Sequence, residues 1–142
     1  MSVVDNFRDH VKRCSWDQDE LEALLRGNRG VMVFFLNNTQ QTVTWSDSGC
    51  DHGERCILAP DDIAPGKWGR WALRSCGFQT GCEGWMQWTV DGNGDPTVNL
   101  GYDNPYYGSN SYSCSINSTS YTVDYEGGDG NAAIVKFILS EK

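Results

Sequence analysis

The chain is poor in basic side chains. Its 142 residues hold 11 Lys and Arg against 19 Asp and Glu, which gives a formal net charge of -8. Such an excess of negative charge repels the phosphate backbone, so we expect no nucleic-acid partner. The same sign argues against simple electrostatic attraction to anionic lipids and leaves zwitterionic and neutral lipids open as partners.

Long hydrophobic runs are also missing. No stretch of the sequence approaches the roughly 20 apolar residues of a membrane-spanning helix. The first residues lack the basic segment followed by an apolar segment that marks a secretory signal. We therefore expect a protein that is secreted or membrane-associated without a classical signal peptide, or one whose signal has been removed, or one that stays in the cytoplasm.

Residues for catalysis and metal binding are scarce. The sequence has two histidines, His10 and His52, and no Gly-x-Ser-x-Gly nucleophile motif. The segment Asp91–Asp95 resembles the start of a calcium loop, but Pro96 and Tyr102 stand where the loop needs Gly and a bidentate Glu. We therefore expect no metal, no cofactor and no enzymatic activity. Paired carboxylates of the glycosidase type stay open as a minor alternative.

The six cysteines allow two interpretations. In a reducing compartment most of them would be free thiols that act as small packing groups. In an oxidising compartment the short spacings predict two local disulfides, Cys50–Cys56 and Cys76–Cys82, and leave Cys14 and Cys114 for a long-range bond. A zinc site is disfavoured because both short spacings have five intervening residues, whereas zinc sites typically have two to four.

Residues 1 to about 28 have a helical pattern. Ser15–Gln18 matches a capping box, in which the first and fourth side chains satisfy backbone N–H groups at a helix start. Apolar side chains recur at helical spacing on both sides of it: Val4, Phe7, Val11, Leu21, Leu24 and Leu25. We predict one or two short helices that cover a sheet edge or end. A short acidic helix binds membranes weakly, so membrane insertion is disfavoured.

From Gly30 onward the hydrophobic period changes to two, which is typical of strands. Turns rich in Asn, Asp and Gly separate eight short candidate strands: Val31–Leu36, Gln41–Trp45, Lys67–Cys76, Gly84–Val90, Thr97–Tyr102, Ser111–Ile116, Ser120–Tyr125 and Ala132–Leu139. Such spacing predicts a β-sandwich. We expect residues 1–142 to form one domain, a mainly antiparallel β-sandwich with an N-terminal helical extension.

Tryptophan and tyrosine are concentrated between Asp61 and Cys114. Their flat apolar bodies and polar tips suit a surface that contacts a partially apolar ligand. About half of the strand residues in a sandwich point inward, so some of these rings belong to the core. Trp85 and Trp88 are three apart and lie on opposite faces of one strand, as do Trp68 and Trp71. We expect one ring of each pair to be buried.

Several segments in this region resemble the aegerolysins, small acidic β-sandwich proteins of fungi and bacteria. They are Ile63–Gly66, Ser75–Gly77, Thr80–Trp85, Val98–Tyr106 and Gly108–Tyr112. The resemblance implies an actinoporin-like sandwich that recognises membrane sphingolipids, sometimes with sterol. It also implies, for some members, a role as the docking subunit of a larger perforin-like pore-forming protein. The N-terminal segment and the loop Cys50–Cys56 depart from the family pattern.

We predict that lipid is bound by a set of aromatic and acidic side chains: Trp45, Trp68, Glu83, Trp85, Tyr102, Asp103, Tyr106 and Tyr107. The exposed rings among them would enter the membrane interface with their polar tips hydrated. Glu83 would accept hydrogen bonds from a lipid hydroxyl, amide or ammonium group. Two alternatives remain, a carbohydrate-binding module that uses Trp45, Trp85 and Asp103, and a structural or toxin-type crystal protein without a small ligand.

Overall fold

A computed structural model describes residues 29–76, 80–92 and 94–142, and the predicted N-terminal helices lie outside these residues. Among the residues described, no helix is long and apolar enough to cross a membrane. The described elements are ten strands: β1 Gly30–Asn38, β2 Val43–His52, β3 Glu54–Ile57, β4 Asp62–Ile63, β5 Trp68–Arg74, β6 Cys82–Val90, β7 Thr97–Asn104, β8 Ser111–Ile116, β9 Tyr121–Gly127 and β10 Ala132–Glu141. All eight predicted strands are among them.

The strands form two five-stranded sheets. Sheet A has the order β3-β5-β1-β10-β9, and sheet B has the order β4-β2-β6-β7-β8. Within these sheets β1 and β10 pair in parallel, and the other neighbours pair antiparallel. The prediction of a mainly antiparallel β-sandwich is therefore confirmed.

The chain changes sheets where the sequence predicts a loop between Cys50 and Cys56. There β2 continues to His52 in sheet B, and β3 begins at Glu54 in sheet A. Gly53 makes the transition with φ of 86°, a conformation that glycine adopts without steric cost. Two bulges interrupt the pairing of β2 with β6, so the alternation of apolar and polar residues that marks a strand is broken there.

Aromatic rings fill the space between the sheets. Phe35 of β1 and Trp71 of β5 meet Trp88 of β6 at ring-centroid distances of 5.5 and 5.8 Å. Trp88 is fully buried, whereas Trp85 is only half-buried on the other face of β6. The predicted division of the two tryptophans of β6 between the core and the outer face is confirmed.

The outer face of sheet A carries a second apolar cluster. Met32, Phe34 and Leu36 point away from sheet B and are at most 1% exposed. Trp68 is half-buried beside them, with its ring centroid 5.6 Å from that of Phe34. Both tryptophans of β5 thus contact apolar side chains, Trp71 in the inner core and Trp68 in this outer cluster.

The five described cysteines are free thiols, so the predicted disulfides Cys50–Cys56 and Cys76–Cys82 do not occur in this structure. The reason is their placement. Cys50 packs against the core between the sheets, and Cys56 packs against the outer cluster of sheet A. Cys82 is buried in the core, whereas Cys76 is exposed. Burial raises the pKa of the Cys82 thiol to about 12, which keeps it protonated and unreactive.

Candidate functional site

The outer face of sheet B holds an open cavity of about 280 Å³. Three adjacent strands, β6, β7 and β8, form its floor, and the end of β2 adds one acidic side chain. The lining residues are acidic, hydroxylated and aromatic, with glycines between them: Asp51, Glu83, Gly84, Trp85, Gly101, Tyr102, Asp103, Ser111, Tyr112 and Ser113. We call this space the sheet B cavity.

Trp85 forms a flat wall of the sheet B cavity. In the register of sheet B it lies opposite Gly49 of β2 and opposite Gly101 of β7. A Cβ atom on Gly49 would lie 2.4 Å from the indole Nε1 and 2.6 Å from Cε2, so the ring lies directly over this glycine. The absence of a side chain at Gly49 is therefore what allows the indole to lie flat against the sheet.

Two carboxylates face each other beside Trp85. Glu83 of β6 and Asp103 of β7 are direct partners in the antiparallel ladder. Like charges at such a position destabilise a sheet, which indicates a role other than stability. Partial burial raises the pKa of Asp103, and the nearby His52 lowers it. His52 Nε2 lies 3.7 Å from Glu83 Oε2, with both side chains substantially exposed.

A second cavity of about 310 Å³ adjoins the first. It shares Glu83 and Asp103 with the sheet B cavity and is lined further by His52, Thr80, Gly81, Cys82, Pro105 and Tyr106. The described residues that line the two cavities include three carboxylates and no Lys or Arg. The combined site therefore has a negative potential and suits a ligand with a cationic group or with hydroxyl donors.

The loop between β7 and β8 is fixed at both ends. At its start the buried Asn104 donates from Nδ2 to the carbonyl oxygens of Gly30 at 2.9 Å and Asn131 at 2.7 Å. At its end Asn110 donates from Nδ2 to the Gly128 carbonyl at 2.8 Å, and the Tyr112 hydroxyl donates to the same oxygen at 2.7 Å. These contacts hold the loop against the end of sheet A and so position Tyr106 at the second cavity.

Tyr106 and Tyr107 project from this loop. Their ring centroids lie 4.6 Å apart in an edge-to-face arrangement. The Arg29 guanidinium lies 5.2 Å from the centroid of the Tyr106 ring, and this cation–π contact stabilises the position of the ring. Tyr107 is 79% exposed and is thus the most exposed aromatic side chain of the described residues. An exposed aromatic tip beside an acidic cavity is a suitable arrangement for contact with a membrane interface.

The structure brings five of the eight predicted site residues together. Glu83, Trp85, Asp103 and Tyr106 line the two joined cavities, and Tyr107 follows on the same loop. Tyr102 also borders the sheet B cavity, but it is only 3% exposed. Its position alternates inward on β7, and its ring centroid lies 6.3 Å from that of Trp71 in the core. The expectation that the Tyr102 ring is available at the surface is therefore wrong.

The remaining two predicted residues lie elsewhere. Trp45 is 41% exposed, but it lines a separate cavity of about 200 Å³ with residues 58–61, which connect β3 to β4. The β2 bulge after Trp45 separates it in register from the half of β2 that reaches the site. Trp68 belongs to the outer cluster of sheet A. Neither ring contributes to the joined cavities.

Sequence reasoning missed the hydroxyl groups and one carboxylate of the site. Ser111 and Ser113 alternate outward on β8, and their period-two spacing was a usable signal once β8 and β7 were taken as neighbours. Asp51 was not identified from the sequence because apolar and polar residues do not alternate along the bulged end of β2. Gly49 carries no recognisable motif, and its role follows only from the register that places it under Trp85. Across the described part of the chain, no group of three or more His, Cys, Asp and Glu side chains is arranged to hold a metal ion.

Comparison with known proteins places these features in a family context. The model of the aegerolysin family matches residues 58–138, which include β6, β7 and β8 of the site but not β2. Among curated proteins, an uncharacterised protein of Dictyostelium discoideum is 26% identical over 117 residues. The aligned region covers 82% of this chain and only 10% of that protein, so the chain spans about a tenth of this relative's length.

Two solved structures share the fold. The lipid-binding protein Nakanori has a TM-score of 0.83 at 15% identity, with 94% of this chain and 80% of that chain covered. The RahU protein, solved in complex with a Tris molecule, has a TM-score of 0.68 at 14% identity, with coverage of 80% and 96%. At these identities the two structures establish the fold and not the ligand.

Proposed function

The chain belongs to the aegerolysin family, and from this premise we propose that it is a non-enzymatic membrane-lipid-binding protein that recognises sphingolipid headgroups. The observation that carries the proposal is the Trp85 indole lying over Gly49, next to the opposed carboxylates of Glu83 and Asp103. Family membership supports lipid as the ligand class, as does the shared fold with a protein described as lipid-binding.

The chemistry of the site fits a headgroup that carries an ammonium group and hydroxyls. A carboxylate accepts short, charge-assisted hydrogen bonds from such donors, and Glu83 and Asp103 offer two carboxylates side by side. The face of a tryptophan ring attracts a cation by its quadrupole, and Trp85 supplies such a face within the same cavity. Ser111 and Ser113 can donate to or accept from further polar groups of the ligand.

The β7–β8 loop indicates how the protein would be oriented relative to the bilayer. Tyr107 and the half-buried Tyr106 project from the β7–β8 loop beside the second cavity. Tyrosine rings prefer the headgroup level of a membrane, where the ring is partly buried and the hydroxyl stays hydrated. In the proposed complex this loop enters the interface while the two joined cavities hold the headgroup. The protein is then membrane-associated when it carries out its function.

Liposome cosedimentation tests the proposal. Vesicles of phosphatidylcholine alone, with sphingomyelin or with ceramide phosphoethanolamine, each with and without sterol, would be compared for the parent, Trp85→Ala, Glu83→Gln and Trp45→Ala. The ethanolamine headgroup carries N–H donors for the two carboxylates, whereas phosphatidylcholine and sphingomyelin share one headgroup that lacks them. Removing the Trp85 ring should weaken binding by about 1–3 kcal/mol, or roughly 5- to 150-fold. Glu83→Gln keeps the shape and removes the charge, and it should also weaken binding. Trp45→Ala is the matched control because that ring is exposed in a separate cavity.

Two results would contradict the proposal. If folded Trp85→Ala and Glu83→Gln proteins bind as well as the parent, the site is assigned wrongly. If the parent binds none of the vesicles, the protein has a different ligand class.

A second candidate function is the binding of free carbohydrate. The observation that favours it is the same cavity, where a tryptophan face lies beside carboxylates and the hydroxyls of Ser111 and Ser113. Sugars offer an apolar ring face and many hydroxyl donors, which would match this lining. A glycan array separates the two candidates. Selective binding to glycans without binding to sphingolipid vesicles would favour the carbohydrate function.

Family membership also supports a finer proposal about partners. We propose that the lipid-bound protein docks a larger perforin-like pore-forming protein on sterol-containing sphingolipid membranes. Dye release from such vesicles tests whether the chain only docks a pore-forming protein or forms pores itself. The chain alone should bind without releasing dye, and efficient release by the chain alone would contradict a docking role.

A further inference from the structure

Polar side chains continue along the outer face of sheet B beyond the sheet B cavity. The strand register aligns the outward residues of β6, β7 and β8 in three rows. Counted from the β7–β8 loop, the first row is Glu83, Asp103 and Ser111, the second is Trp85, Gly101 and Ser113, and the third is Gln87, Asn99 and Ser115. The first two rows line the cavity, and the third row lies outside it. The third row therefore extends the same surface past the end of the cavity.

The third row is accessible, and its side chains are available for contact. Asn99 and Ser115 are exposed, and Gln87 is half-buried. Among the described residues, none forms a hydrogen bond with any of these three side chains. Amides and hydroxyls both donate and accept hydrogen bonds, so the third row can pair with ligand groups that do the same. The hydroxyl groups of sugars have this property.

The second row supplies a surface for a sugar ring. The Trp85 indole lies over Gly49 and lines the sheet B cavity. Gly101 beside it has no side chain, and the register places Ser113 next to Gly101. The apolar face of a sugar ring can pack on an aromatic ring while the hydroxyls at its edge reach neighbouring polar groups. A sugar bound on Trp85 would therefore lie directly beside the third row.

We propose that the ligand is a neutral glycosphingolipid, whose oligosaccharide runs from the sheet B cavity onto the third row. One sugar packs on Trp85, and the next sugar forms hydrogen bonds with Gln87 and Asn99. The proposal rests on the proposed function, which is recognition of a sphingolipid headgroup in a membrane, and it names the class of that headgroup. It also assigns Gln87, Asn99 and Ser115 a role in specificity.

The direction of the three rows fits a headgroup that leaves the bilayer. β6 begins at Cys82, opposite Asn104 at the start of the β7–β8 loop, and runs away from that loop. With the loop at the membrane interface, an oligosaccharide that extends from the bilayer passes the rows in order. Successive rows are two residues apart along each strand, so the first and third rows are about 14 Å apart. A compact headgroup needs only the cavity, whereas linked sugars can reach all three rows.

The charge of the surface favours a neutral oligosaccharide. The three rows hold the carboxylates of Glu83 and Asp103 and no Lys or Arg. Asp47 of β2 is paired with Gln87 and adds a third carboxylate beside the third row. Sugar hydroxyls can donate charge-assisted hydrogen bonds to these carboxylates. A glycan that carries sialic acid or phosphate would be repelled by them.

A series of glycolipids tests the proposal with the parent protein. Vesicles of phosphatidylcholine with equal fractions of ceramide, glucosylceramide, lactosylceramide or sialyl-lactosylceramide would be compared by cosedimentation. Affinity should rise by about fivefold from one sugar to two, which is roughly the effect of one added hydrogen bond. The sialylated lipid should bind more weakly than lactosylceramide. Equal affinity for glucosylceramide and lactosylceramide would overturn the proposal, as would stronger binding of the sialylated lipid.

Substitutions in the third row test where the second sugar binds. Asn99→Ala and Gln87→Ala should each weaken binding to lactosylceramide vesicles by about fivefold and leave binding to glucosylceramide vesicles unchanged. Thr122→Ala is the matched control, because it removes an exposed polar side chain from β9 of sheet A. Equal losses for both glycolipids, or no loss for either, would contradict the assignment of the third row. If a variant fails to fold, the glycolipid series with the parent still decides the question.

Two further arms separate this proposal from the proposed function. Vesicles with sphingomyelin or ceramide phosphoethanolamine would be included in the same assay. If they bind as tightly as lactosylceramide vesicles, the oligosaccharide is not recognised, and the proposed function stands without this inference. Free lactose would be measured by titration calorimetry. Binding of free lactose without binding to any vesicle would overturn both proposals and support the carbohydrate function.

Discussion

The two outer faces of this sandwich differ in almost every property. On sheet A the outward residues of β1 are Met32, Phe34 and Leu36, which are buried in an apolar cluster. On sheet B the outward residues of β6 include Glu83 and Trp85, which are half-buried around an open acidic cavity. The inner faces of the same strands build one shared core. From this difference we infer that the outer face of sheet A serves stability, and we propose that the outer face of sheet B serves ligand contact.

The sequence of each strand explains its face. β1 is apolar at consecutive positions, Val31–Leu36, as expected for a strand that is covered on both sides. β6 alternates, with small or apolar residues inward and Glu83, Trp85, Gln87 and Thr89 outward. The glycine at position 49 then makes room on the outer face of sheet B for the Trp85 ring. A uniform apolar run therefore indicates a covered sheet, and an alternating run beside glycines indicates an accessible one.

The largest expected effect is on stability, at the outer face of sheet A. Phe34→Ala removes a fully buried ring and should lower the free energy of unfolding by about 3–5 kcal/mol. Gln87→Ala, at an outward position of β6, should change it by no more than about 0.5 kcal/mol. Urea unfolding of both variants measures the contrast. Equal losses at the two positions would show that the faces do not differ in this way.

The next effect is on ligand binding, at the outer face of sheet B. Gly49→Ala places a Cβ 2.4 Å from Nε1 of Trp85, so the indole must leave its position over the sheet. We expect affinity for sphingolipid vesicles to fall by about tenfold, which corresponds to roughly 1.4 kcal/mol.

A double-mutant cycle supplies the control for this variant. If Gly49 acts only through the Trp85 ring, combining Gly49→Ala with Trp85→Ala should cause no further loss of affinity beyond Trp85→Ala alone. Additive losses would show that Gly49 affects binding by another route.

A smaller effect concerns pH. An ammonium ligand binds the ionised form of Asp103, and burial raises the pKa of this carboxyl above the ordinary value of 3.8. As the pH falls, Asp103 should take up a proton at a higher pH than an exposed Asp would, and vesicle binding should weaken as it does so. The raised pKa means that the folded state holds this proton more tightly than the unfolded state, so Asp103 itself does not destabilise the fold in acid.

Variants separate the contribution of Asp103 from those of its ionisable neighbours, Glu83, Asp51 and His52. Asp103→Asn should bind more weakly at neutral pH and lose part of the pH dependence, and His52→Gln should retain the Asp103 part. A pH profile that Asp103→Asn leaves unchanged would contradict this assignment.

The smallest expected effect is that of salt. The formal net charge of -8 offers no long-range attraction to anionic membranes, so the proposed binding would depend on contacts inside the cavities. We expect vesicle affinity to change by less than about threefold between ~0.1 M and ~1 M salt, where the Debye length falls from about 10 Å to 3 Å. A loss of tenfold or more would show that long-range electrostatics contributes, and a steep dependence with the Glu83→Gln protein would locate it outside the site.

Much of the fold was predictable because strands of a sandwich alternate. All eight predicted strands are present, and the opposite burial of Trp85 and Trp88 follows from their spacing alone. The strands that were missed, β3 and β4, are short edge strands without a clear apolar pattern. The end of β2 was missed because its bulges interrupt alternation.

The site was predictable only in part because it depends on register between distant strands. Glu83, Trp85, Asp103 and Tyr106 were identified by residue type and motif, and the structure places them together. The pairing of Gly49 with Trp85 joins residues 36 positions apart, and no local pattern indicates it. Tyr102 was predicted to bind lipid because it belongs to the aegerolysin-like segment Val98–Tyr106. Its inward position on β7, where the ring is buried, was given too little weight.

Hydrogen exchange of the parent protein, with and without vesicles of the sphingolipid that it binds in cosedimentation, tests the central claim most directly, because it compares both faces in one experiment. Ligand contact on sheet B should slow exchange in the β7–β8 loop, residues 105–110, and at the end of β2 around His52. Exchange in β1 and β10 of sheet A should not change. Slower exchange confined to sheet A, or no change in the β7–β8 loop upon demonstrated binding, would contradict the assignment of ligand contact to the outer face of sheet B.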